Sequence, residues 1–216
     1  METNHRKEIY MNHLGGHFGF TSMVRSTFDF ITEKYEIKSI LDVGCGPAGM
    51  VEYANYKKIY AIGIDGDPDL PKKDYVLLHD FTNGPFVLEK KFDLVYSTEF
   101  LEHVEEKYIE NFMPLFQKGK YVFVSAAPPG QGGHHHVNEK PKEYWIEKFS
   151  LYGLKYMEEE SEQIRKTSKD TVVCKNSSFY LNTNFTESSL FEEPFTIEKQ
   201  MIDDNIKSYL DHGGPE

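Results

Sequence analysis

Residues 39–65, SILDVGCGPAGMVEYANYKKIYAIGID, constrain the fold more than any other stretch. They read as strand, glycine turn, helix and second strand. Ile40, Leu41 and Val43 form the short apolar run of a buried parallel strand. Gly44, Gly46 and Gly49 follow with the spacing G-x-G-x-x-G, which permits a tight turn, close approach of a ligand to the backbone, and close helix–strand packing. A second strand, over 59–64, ends at Asp65, placed to accept hydrogen bonds from both hydroxyls of a ribose. Together these parts form a nucleoside-binding half-site.

The spacing admits a nicotinamide dinucleotide or S-adenosylmethionine. Asp42, two residues before the first glycine, separates them. A pyrophosphate on a helix N-terminus disfavours a further negative charge there, whereas a ligand carrying a sulfonium and an amino group accepts one. The stretches LDVGCGPAG, IGIDGD, HDFT and YSTEFLEHV then follow in order. Over residues 36–154 the chain resembles the class I S-adenosylmethionine-dependent methyltransferases.

That resemblance implies an α/β, Rossmann-like, doubly wound and mostly parallel seven-stranded sheet with helices on both faces. It implies S-adenosylmethionine as cofactor and S-adenosylhomocysteine as product. Gly44, Cys45 and Gly46 would contact the methionine part, with Asp42 beside them, and Asp65 the ribose, with Gly66 and Asp67 alongside. Asp80 and Phe81 would flank the adenine, and Ser97, Thr98 and Glu99 would close the site near the sulfonium.

With 216 residues, the chain has room for one α/β domain with a full core: a lid and helix over 1–35, the core over 36–186 and a terminal helix over 187–216. A dehydrogenase normally adds a substrate domain, so this length argues against an NAD-linked oxidoreductase. Net charge is −11, arginine occurs only as Arg6, Arg25 and Arg165, and no basic stripe is present. This argues against nucleic acid as partner. Cys45 and Cys174 form no CxxC, which fits a reducing compartment, and no apolar run nears 18 residues, so a cytoplasmic protein without a membrane span is expected.

Further along, Thr21 or Ser22 is expected to cap a helix reaching residue 35, with Val24, Phe28, Phe30 and Ile31 on its buried face. The glycine-rich loop before it, with His13 and His17, suits a lid over the site. Strands are expected over 75–78, 92–96, 121–126 and 171–181, with a short one at 154. Helices are expected over 105–117, 142–152, 158–166 and 196–210.

The loop APPGQGGHHHVNEKP, residues 127–141, emerges beyond the carboxyl end of a parallel strand, where open α/β sheets bind ligands. Methyl transfer to a hydroxyl calls for aligned partners and a base, and histidine serves at neutral pH. In an extended loop successive side chains alternate, so of His134, His135 and His136 the candidates for the base are His135 and His136. His103 is a second choice, and His134 and Asn138 are candidates for acceptor contact. No H-x-x-x-H spacing or paired-carboxylate signature supports a metal.

The GGHHHVN loop resembles that of methyltransferases of bacteriophages and large DNA viruses associated with glycan-modifying genes. This implies a glycan or small-molecule hydroxyl as acceptor, and the host cytoplasm as location. The expected activity is O-methyl transfer, against an NAD-linked oxidoreductase or a catalytically inactive binding module of the same fold. An N-methyltransferase is a weaker variant, because Ser97–Thr98–Glu99–Phe100 replaces the N-P-P-Y type of turn. The sequence leaves the oligomeric state open.

Overall fold

The computed structural model describes Leu14 and residues 16–167, 172–186 and 193–211. His13 lies outside the described residues, as does the side chain of Cys174. The strands are β1 Ser39–Val43, β2 Tyr60–Asp65, β3 Val76–Leu78, β4 Phe92–Thr98, β5 Gly119–Ser125, β6 Leu154–Tyr156 and β7 Ser177–Asn182. The helices are α1 Arg25–Lys34, α2 Gly49–Tyr56, α3 Ile109–Phe116, α4 Lys142–Leu151, α5 Glu158–Arg165, α6 Val172–Lys175 and α7 Lys199–Asp211.

One seven-stranded sheet runs β3-β2-β1-β4-β5-β7-β6. The first five strands pair in parallel, and β7 is antiparallel to both β5 and β6. The order reverses between β1 and β4, the switch point beyond which such sheets bind ligands.

Both faces are covered, because the central strands are apolar on both sides. Leu41, Val43, Val95, Val122, Val124 and Tyr180 pack with α3 and α4 through Phe112, Phe116, Trp145 and Phe149. The alternate residues Ile40, Leu94, Tyr96, Phe123 and Phe179 pack with α1, α2, α5 and α7 through Phe28, Ile31, Val51, Ile164 and Ile202. This strict alternation fixes the register of each strand.

Three expectations need correction. Helix α1 starts at Arg25 with Val24 as its N-cap and no side-chain cap. The Thr21 hydroxyl instead accepts the Gly49 N–H at 2.9 Å, so it caps α2 across the glycine turn. Strand β7 starts at Ser177, because β5 ends at Ser125, which pairs with Ser177 and offers no partner to earlier residues. The β-branched run Val172–Val173 therefore closes on itself as the helical turn α6. The segment at 105 enters α3 through a one-turn 3-10 helix, Glu106–Tyr108, so α3 begins at Ile109.

Candidate active site

A cleft of about 440 Å³ opens at the carboxyl ends of β1, β2 and β4, within the size range of small-molecule sites. The glycine turn forms its floor. Gly44 has φ +77°, and a Cβ there would lie 2.5 Å from the Phe100 ring, so glycine is required twice over. The turn's amides are already engaged. Gly44 and Cys45 donate to the Ile64 carbonyl at 2.9 and 3.2 Å, Gly46 donates to Asp65 Oδ2 at 2.7 Å, and Gly49 is capped by Thr21. A pyrophosphate needs such N–H groups at the helix start, and these are committed elsewhere. The geometry agrees with Asp42 in disfavouring a dinucleotide.

Asp42 lies buried on the cleft wall. Burial, and then the neighbouring Asp65 carboxylate, raise its carboxyl to about 8. A cationic ligand would relieve this, which fits a sulfonium-bearing amino acid. Asp65 accepts the Asp67 N–H on Oδ1 at 3.0 Å and the Gly46 N–H on Oδ2, so its carboxylate is fixed with lone pairs left for hydroxyls. Farther along, Asp80 accepts the Thr82 N–H at 2.8 Å, and Phe81 packs edge-on to Phe100 and Phe112.

The β4 exit and the histidine loop also line the cleft. Glu99 sits in the left-handed region at φ +52°, a conformation that persists only when its surroundings fix it. Its carboxylate accepts the Ser125 hydroxyl at 2.8 Å and the Gln131 amide at 3.2 Å. The histidine loop is stapled to the same segment: the Val137 and Asn138 N–H groups donate to the Glu102 carbonyl, both at 3.0 Å. Glu139 gathers the rest by accepting from the Gly130 and Gly132 amides at 2.7 and 2.6 Å and pairing with His136 Nδ1 at 3.0 Å.

Burial, followed by the neighbouring His136 and His134, pushes His103 down to about 4, so its ring is neutral near pH 7. Burial, with the Glu99 carboxylate next, pushes Glu102 well above the usual carboxylate range.

Of the residues expected from sequence, Asp42, Gly44, Cys45, Gly46, Asp65, Gly66, Asp80, Phe81, Thr98, Glu99, His17, His103 and His135 line the cleft. Others sit behind it. Ser97 is fully buried and donates to the Val43 carbonyl at 2.7 Å. Asp67 is turned to His17, 2.9 Å away, and to the Asp69 N–H. Asn138 is 2% exposed and donates to the Val104 carbonyl at 3.0 Å, which makes it a loop anchor rather than an acceptor contact.

The histidine assignment also changes. His135 lines the cleft, whereas His136 faces Glu139 and the edge of His103, and His134 packs against Phe18. The chain turns at His135, with φ +48°, so the alternation of an extended strand does not apply there. Sequence reasoning also passed over Thr21, Met50, His79, Phe100 and Tyr108, which line the cleft. Phe100 and Glu102 were within sight in the YSTEFLEHV stretch; Thr21 and Met50 carry no local signal.

Comparison with known proteins gives the class. A family model described as "Methyltransferase domain" matches residues 17–159, well over half of the chain. The chain belongs to that family. Among solved structures, a TehB-like SAM-dependent methyltransferase from Corynebacterium glutamicum is 18% identical with a TM-score of 0.55, over 74% of this chain and 89% of its own. The DhpI–SAH complex is 13% identical with a TM-score of 0.51, over 74% of this chain and 82% of its own. A SAM dependent methyltransferase from Archaeoglobus fulgidus is 20% identical with a TM-score of 0.48; the match spans 59% of this chain and 66% of that one. No curated protein matches. No helix among the described residues is long and apolar enough to cross a membrane.

Proposed function

We propose that the chain methylates a hydroxyl of a glycan or other small molecule, with S-adenosylmethionine as cofactor and His135 as the base. The observation that carries this is the make-up of one cleft. Asp65, Asp80 and Phe81, which suit a nucleoside, line the same cleft as Glu99, His103 and His135, with buried Asp42 and the glycine turn among its walls. The cofactor supplies an electrophilic methyl on sulfonium sulfur. Asp65 would hold the ribose hydroxyls, Asp42 would face the positively charged amino acid part, and the Phe81 ring would lie against the adenine.

The acceptor enters beside His135. Its oxygen would form the new C–O bond as the C–S bond broke, and His135 would take the hydroxyl proton, leaving the thioether product and an imidazolium. Holding the two partners in line would be the cleft's main contribution to an in-line displacement. Asp67 and His17 support the cover over the glycine turn, and Ser97, His134 and Asn138 support the walls.

Calorimetric titration with S-adenosylhomocysteine tests the cofactor assignment. Binding by the wild type, weakened by roughly 1–3 kcal/mol in Asp65→Ala, is the expected result; no heat with the wild type overturns it. Methyl transfer to a panel of sugars tests the acceptor. His135→Ala is expected to lower kcat about 10²-fold or more, the usual worth of a general base, with cofactor affinity kept. An unchanged kcat removes His135 from the chemistry.

A further inference from the structure

Glu102 lies in the 3-10 turn Leu101–His103 that follows β4, and it is 0% exposed. Its Oε1 accepts the Ala127 N–H at 3.1 Å, while Oε2 accepts no hydrogen bond from the described residues. An unsatisfied carboxylate oxygen at such depth is costly unless a cation faces it. Two imidazoles stand beside it. One ligand atom each from Glu102, His103 and His136 lie within 4.8 Å of one another.

We propose that Glu102, His103 and His136 hold one divalent first-row transition ion at the acceptor end of the cleft. Donors bound to a common ion at about 2.0–2.2 Å stand roughly 3–3.5 Å apart, so small side-chain rotations close the observed spacing. The His136 pair with Glu139 supplies the outer support that such sites need. A proton shared between Nδ1 and Glu139 leaves Nε2 with the lone pair, as in the carboxylate–histidine–metal arrangement. Glu139 is itself fixed by two backbone amides. Gly133 makes room for the ring, since a Cβ there would lie 2.4 Å from His136 Nε2.

Two imidazoles with one carboxylate suit zinc, cobalt or manganese better than calcium or magnesium, which take oxygen-rich cages. Glu99, beside Glu102, adds negative charge without entering the ligand set. The ion's role rests on the methyl-transfer reading. His103 lines the cleft, so open coordination positions face the acceptor, where a bound hydroxyl is oriented and made more acidic. His135 stays outside the ligand set and keeps its part as the proton acceptor.

The test uses the intact chain, stripped with a chelator, titrated with cobalt(II) chloride and read by visible absorption and by calorimetry. One equivalent of cobalt is expected to bind to the wild type. Glu102→Gln and His136→Ala are each expected to weaken it tenfold or more. Glu102→Gln keeps an acceptor for the Ala127 amide and removes a buried charge, and circular dichroism checks that it folds. No cobalt binding by the wild type, or equal affinity in the wild type and both variants, overturns the proposal. A parallel titration with S-adenosylhomocysteine separates the two assignments: bound nucleoside without cobalt removes the ion alone, and bound cobalt without nucleoside removes the cofactor alone.

Discussion

His17 Nε2 and Asp67 Oδ2 stand 2.9 Å apart, and the Gly19 N–H donates to Nδ1 of the same ring at 2.9 Å. The backbone donor assigns the lone pair to Nδ1, so the neutral ring carries its proton on Nε2 and gives it to the carboxylate. The segment before α1 is thereby fastened to the loop after β2, above Gly46.

Removing Asp67 should loosen this cover. Asp67→Ala is expected to weaken S-adenosylhomocysteine by about 1 kcal/mol, the net worth of one such bond, roughly fivefold in Kd. Calorimetry measures it, and equal affinity would show that the fastening plays no part in binding.

Gly44→Ala should fail on two counts. The left-handed backbone costs a side chain about 1–2 kcal/mol, and the overlap with Phe100 about 1–3 more. Urea denaturation should show a loss in this combined range together with loss of nucleoside binding. A stable, binding-competent variant would contradict this geometry of the turn.

Asp42 makes stability fall with rising pH. Its folded pKa of about 8 lies above the unfolded value near 3.8. Between them the folded state holds a proton that the unfolded chain has released. The contribution is therefore whole below about pH 4 and is lost as pH rises towards 8. Asp42→Asn lacks this loss, so its stability relative to wild type should grow between pH 5 and pH 8 by at most about 1.4 kcal/mol per pH unit. Paired urea curves at the two pH values check the sign; a difference that shrinks with pH refutes it.

Glu52 is fully buried on α2 and receives the Lys73 ammonium, the Tyr75 hydroxyl at 2.7 Å and the Asn205 amide of α7 at 2.5 Å. Glu52→Ala strands Lys73, which also donates to the Pro47 carbonyl beside the glycine turn at 2.8 Å. The expected cost is about 3–5 kcal/mol, with faster proteolysis within α7. A cost below about 1 kcal/mol would mean that the network is solvated.

The nucleoside half was legible because its constraints are local. Gly44, Gly46 and Gly49 between two strands, with Asp65 closing the second, specify the turn within residues 39–65 whatever surrounds it. The sheet's apolar strands were legible for the same reason, through their periodicity. What escaped depends on distant partners. Thr21 caps α2 rather than its own helix, and Val172–Val173 lacks a strand to pair with. The histidine loop misled because alternation assumes an extended chain, whereas His135 turns. Glu102 reads as an ordinary surface acid in sequence, and only the packing of Ala127 and the histidine loop over it makes it buried.

Strand β7 lies between β5 and β6, so Ser125 at the end of β5 finds its edge partner in Ser177. The same Ser125 positions Glu99. On the ribosome, the glycine turn and Asp65 can assemble as soon as the first two strands have emerged, while the acceptor end must wait for residues made much later. The two halves of the cleft therefore mature in sequence, the nucleoside half first. A nascent chain stalled before Ser177 would carry a formed ribose acid and a β5 edge still without its partner strand.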